Sequence, residues 1–111
     1  MKITLVKKIL ADGSPCKKCG EVLERMEAEN QLARIDEILV ADERDPASAG
    51  MVLAKKLNID RAPFFVVERD DGQTDVYTVY LKFVKEVLSQ KVEEKDELKE
   101  ILDRNADLDF L

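Results

Sequence analysis

The spacing of the first two apolar runs limits the fold most. Ile3, Leu5, Val6, Ile9 and Leu10 form one run and Ile38 to Ala41 the next. The chain between them carries helix signals. Ser14 and Pro15 mark a start, because serine can cap free amides and proline is tolerated at the first helical position. Cys19, Val22, Leu23, Met26 and Ala33 then recur at helical spacing, with Glu21, Glu24, Arg25 and Glu27 on the other face, which predicts a helix to about Gln31. Two strands joined through a helix lie parallel in one sheet. The pattern repeats once more: Asp45-Pro46 opens a second helix with Ala47, Met51, Ala54 and Leu57 inward, and "NID" ends it.

The second half changes rhythm. "PFFVVER" and "TDVYTVY" are β-prone and "DDGQ" between them is a turn, so residues 64 to 80 read as a hairpin. From Leu81, Val84, Leu88 and Val92 return to helical spacing. The order is β-α-β-α-β-β-α, an α/β domain over residues 1–91, followed by an extension over 92–111. At 111 residues one such domain is expected. From residue 93 onward, "EEKDELKEILDRNADLDFL" holds eight acids against three bases, nearly all of the chain's net charge of −6. Leu98, Ile101 and Leu102 predict a short helix packing back on the domain, and Leu108, Phe110 and Leu111 end it with apolar bulk. The same features also suit a docking peptide or a weak dimer contact.

Charge and hydropathy exclude several classes. An acidic chain lacks the basic face that phosphate binding requires, so no nucleic acid partner is expected. Lys7 and Lys8 interrupt the first apolar run, unlike the core of a signal peptide, and no run approaches the roughly 18 residues of a membrane span. A soluble cytoplasmic protein is expected. Thiols stay reduced in that compartment, which favours their use over their role as cross-links.

The chain has two cysteines, Cys16 and Cys19, and no histidine. Side chains three apart on a helix lie about 5–6 Å from each other, and a disulfide takes Cα atoms roughly 4.4–6.8 Å apart, so the pair can close and open with little backbone movement. The positive end of the helix, with Lys17 and Lys18 beside it, favours a thiolate at Cys16, the outer sulfur and expected nucleophile. Cys19, on the inward stripe, is the expected resolving thiol. A structural zinc site takes four ligands and this motif supplies two, so a metal would bridge two chains or recruit acids. Two inert core cysteines are the remaining alternative.

With "SPCKKC", "LAKKLNIDRAPFFVVERDDG" and this order of elements, residues 1 to 90 resemble the thioredoxin and glutaredoxin superfamily. The resemblance implies a thioredoxin-like four-stranded mixed sheet with the redox turn at one end. It also implies a cis bond at Ala62-Pro63, with the backbone of Ala62 pairing an extended substrate beside the cysteines. Arg61 adds a charge next to that groove, either selecting acidic partners or solvated without a role. The chain departs from the family in having Pro15 before Cys16, Lys17-Lys18 between the cysteines, and no acid in "KITLVKKIL" to take a proton from Cys19. "TVYLKFV" lacks the Gly-rich turn and polar helix start that hold glutathione in glutaredoxins, which argues against glutathione as co-substrate.

The expected function is thiol-disulfide exchange. Cys16 and Cys19 are catalytic, Lys17, Lys18 and Ser14 tune the thiol, and Arg61, Ala62 and Pro63 contact substrate. No cofactor or metal takes part; a disulfide-containing protein is the substrate, and an external thiol reductant or reductase restores the pair. The rival expectation is a redox-switched binding module that uses the acidic tail as its contact surface.

Overall fold

Continuous burial along the first strand marks it as central to the sheet. The structure is a computed structural model that describes residues 1–109, with side chains as far as 102. In β1 (Lys2–Ile9) the residues Ile3, Leu5 and Val6 are all but inaccessible, so both faces of this strand are covered. Parallel β2 (Glu37–Asp42) lies on one edge of β1 and antiparallel β3 (Phe64–Glu68) on the other, with β4 (Thr74–Tyr77) outside β3. The order β2-β1-β3-β4 is a four-stranded mixed sheet in an α/β arrangement, as expected.

One face of this sheet is packed by α2 (Ala49–Leu57). Val6, Ala41, Phe64 and Val66 meet Met51, Leu53, Ala54 and Leu57 there. The opposite face carries Ile3, Leu5, Phe65 and Val67, each at most 2% exposed. A buried phenylalanine contributes about 1.5–3 kcal/mol, so Phe64 and Phe65 anchor the two faces from adjacent positions of one strand. The approach of α2 to β2 is set by Gly50. A Cβ at that position would lie 2.3 Å from the backbone nitrogen of Ala41 and 2.4 Å from the carbonyl carbon of Val40.

Both crossover helices are shorter than their apolar patterns suggest. α1 spans Lys17–Ala28, and Ala33 falls in a separate 3-10 turn, Leu32–Arg34. The stop is Asn30, held in the left-handed region at φ 57° while Gln31 N–H donates to Met26 O at 2.7 Å and Asn30 N–H to Glu27 O at 3.2 Å. That pair of bonds satisfies the last carbonyls and cannot coexist with another helical turn. Asn58 ends α2 in the same way, with Ile59 N–H donating to Ala54 O at 2.9 Å. At the start of α2, Asp45 and Pro46 form a turn instead of the first helical turn, with Ser48 as N-cap residue.

The chain divides into two compact units, the sheet with α1 and α2 in Met1–Thr78 and a helical unit beginning at Val79. The division falls before α3 (Tyr80–Glu86), whereas the composition change suggests one near residue 91. Within the helical unit, α3 pairs with α4 (Glu94–Asp109). Val79, the N-cap residue of α3, has no polar side chain to receive its first amides. Glu100 of α4 replaces it: the carboxylate is 6% exposed, one oxygen accepts from Leu81 N–H at 2.9 Å and the other from Tyr80 N–H. Lys85 adds a 2.7 Å bond to Glu97. The predicted apolar stripe is not what holds α4, because Leu98 and Leu102 are 55% and 58% exposed and only Ile101 is half-buried. The Leu108 side chain, Phe110 and Leu111 lie outside the described residues.

Gly50→Ala should destabilise the protein by about 1–3 kcal/mol through overpacking against β2. Gly20→Ala, at a helical site with nothing within 4 Å of the new methyl, should stabilise it by about 0.5–1 kcal/mol. Opposite shifts in urea midpoint check both. Glu100→Ala, which leaves buried amides unpaired, should cost about 1–3 kcal/mol and speed hydrogen exchange at Tyr80 and Leu81.

Candidate active site

At the end of β1 the two neighbouring strands stop at different points. The pairing with β2 continues to Ile9–Asp42, whereas the pairing with β3 ends at Val6–Phe64. Past Val6 the β3 edge of β1 therefore has unpaired backbone groups that need partners. The cysteine loop supplies them. An antiparallel bridge sets Pro15 opposite Ile9, with Cys16 N–H donating to Lys8 O at 3.1 Å and Leu10 N–H to Ser14 O at 2.8 Å. The N–H of Lys8, on the same edge as its carbonyl, donates to Cys19 Sγ at 3.3 Å. One peptide segment of β1 thus holds both cysteines.

The sulfurs occupy different environments. Cys16 is the N-cap residue of α1, with extended φ −65° and ψ 125°; its carbonyl accepts the first helical bond from Gly20 N–H, and its side chain makes no capping hydrogen bond. It is half-buried and retains access to solvent, while Cys19, one turn on, is 3% exposed. Neither is in a disulfide. Lys17 and Lys18 lie in the first turn of α1, as predicted, one exposed and the other half-buried.

Ser14 does not cap α1. The helix starts three residues later, at Lys17, and Ser14 Oγ donates to Asp12. Together with the Ser14 N–H, that hydroxyl holds the Asp12 carboxyl below its ordinary range. Pro15 likewise sits in the bridge to β1 and not at the first helical position. The signals "SP" mark the helix start to within two residues but misassign its chemistry, because the free edge of β1 competes for the same backbone.

The Ala62–Pro63 peptide is cis, as the resemblance implies. Pro63 is fully buried and Ala62 is 7% exposed. The pairing of β3 with β1 ends at Phe64, and Ala62, two residues earlier, lines one groove with Lys8, the residue that the bridge places opposite Cys16. Arg61 is half-buried, with its Nε 3.8 Å from Asp60. Lys8 and Glu43 are functional candidates that sequence reasoning missed. Lys8 Nζ lies 3.6 Å from Glu43, whose other oxygen accepts from Ala11 N–H at 3.2 Å. The available signal was period two: Lys8 follows Val6 on the α2 face at the end of a buried strand, where a lysine is out of place unless the strand end is open. Among the described residues, no group of three or more Cys, Asp or Glu is placed to hold a metal ion. None of their helices is long and apolar enough to cross a membrane.

Comparison of the chain with protein-family models, with curated proteins and with solved structures finds no match.

Ser14→Ala should raise the Asp12 titration toward its ordinary value of 3.8. The hydrogen bonds that depress the Asp12 pKa favour the folded state above that value and cease to do so as pH falls through the lowered one. Helix content should not change, since the hydroxyl caps nothing in α1; carboxyl NMR titration and circular dichroism check the two halves.

Proposed function

We propose that this chain is a thioredoxin-like thiol-disulfide oxidoreductase. The observation that carries the reading is the unequal pair at the strand-to-helix junction, one thiol accessible at the N-cap of α1 and the other buried one turn on. Two equivalent buried cysteines would suit packing alone; this asymmetry suits sequential attack. The four-stranded mixed sheet, with the cysteine loop at the end of its strand β1, supports the thioredoxin-like reading.

The exchange balances over two displacements. The Cys16 thiolate attacks one sulfur of a substrate disulfide, forming a mixed disulfide and expelling the other sulfur as a thiolate that takes up a proton. Cys19, on losing its proton, attacks Cys16 Sγ, forms the Cys16–Cys19 bond and releases the second substrate thiol. The substrate gains two electrons and the pair loses two. An external dithiol then returns the pair to the reduced form by the same steps. The Lys8 N–H aimed at Cys19 Sγ is a donor to that sulfur and favours its charged form, since hydrogen bonding to an ionised group stabilises it. The helix terminus and the lysines of the first turn place positive charge beside Cys16. No cofactor or metal enters these steps. The substrate is a disulfide-containing protein, and a reducing compartment such as the cytoplasm suits the chemistry.

The exposed Leu98 and Leu102 favour a second reading, a binding module whose contacts lie on α4 and whose cysteines only switch it. Turnover separates the two. With dithiothreitol as reductant, the protein should reduce a quenched disulfide-linked peptide catalytically. Cys16→Ser should fall to background, and Cys19→Ser should stall as a peptide adduct on Cys16, visible by mass spectrometry. Equal rates for all three proteins would sink the oxidoreductase reading.

A further inference from the structure

On the α2 face of the sheet, beside the end of β1, lies an open groove of about 350 Å³. Its volume is at the lower end of the range for small-molecule sites, roughly 300–1,000 Å³. Met51, Ala54, Ile59 and Phe64 make an apolar floor, of which Phe64 and its neighbours belong to the core and are held rigidly. The rim is charged and unbalanced. Glu43 is engaged by Lys8 at 3.6 Å, and Asp60 lies 3.8 Å from Arg61. Lys55 stands at the same rim, and among the described residues no carboxylate pairs with it.

An apolar floor under a net cationic rim is complementary to a compact apolar molecule that carries one negative charge. Lys8, Lys55 and Arg61 face Glu43 and Asp60 across this mouth, so the rim carries one positive charge in excess, which an anion can neutralise and a neutral or cationic ligand cannot. We propose that this groove is a binding site for a small carboxylate on an apolar body, its ring or chain over Met51 and Phe64 and its carboxylate at Lys55. The groove includes Arg61 and Ala62, expected substrate contacts, but binding there does not depend on the chemistry of the thiols. Lys8 connects the two: its side chain lines the groove, and its backbone holds Cys16 and Cys19.

The test uses the full chain with 3-phenylpropionate as probe, in a ¹H–¹⁵N titration at low salt beside 3-phenylpropanamide and 3-phenylpropylamine. The carboxylate should shift the amides of Met51, Ala54, Lys55 and Ala62, bind about threefold more tightly than the amide, and weaken as salt screens the rim. Lys55→Gln, an exposed substitution away from the core, should bring the carboxylate down to the affinity of the amide. The inference is overturned if the carboxylate and amide bind equally, if the shifts map elsewhere, or if Lys55→Gln leaves the preference intact. Because binding is read without turnover, a negative result here leaves the oxidoreductase reading standing, and loss of turnover leaves this one standing.

Discussion

The site depends on one mismatch of strand lengths. β1 continues beyond the point where β3 leaves it, so the peptide groups at Lys8 have no sheet partner on that edge. Buried backbone groups must be paired, and here the pairing falls to the chain that returns through Pro15 into α1. The carbonyl takes the amide of Cys16 and the amide meets the sulfur of Cys19. A need of the backbone thereby becomes a means of positioning two side chains. Their separation in depth follows from the same arrangement, because the residue bonded to the strand end begins the helix and the residue one turn later is carried inward.

The parallel crossover, the two apolar faces and the hairpin are legible from period and spacing, since burial leaves the same imprint on every strand and helix. The cysteine pair is equally legible, because a helix start and a three-residue interval are local facts. The helix limits are less so. Asn30 and Asn58 end their helices through left-handed backbone and paired carbonyls, and an apolar pattern running past the first of them to Ala33 suggests a longer helix than forms. Ser14 shows the opposite error, a residue of the right type that the geometry of the strand end turns toward Asp12. Neither Lys8 nor Gly50 announces itself. Their roles come from which backbone lies next to them, and that is known only once the strands are in register.

Glu100 makes the same point in the helical unit. In the sequence it is one acid among many in a charged extension, and its residue type suits a solvated face. In the structure it is buried, because the start of α3 has no polar side chain of its own and its amides donate to a carboxylate 20 residues further on. The leucines that composition would place inward remain exposed. A hydrogen-bonding requirement therefore outranks apolar burial in fixing which side of α4 faces α3.

Pro15 has a consequence for the company this protein keeps. It occupies the bridge position whose nitrogen points away from β1, so the missing hydrogen costs the loop nothing internally. Outward, it removes the donor that a stray extended chain would need in order to anneal there. The rim beside the thiols thus offers a passing strand one anchoring hydrogen fewer.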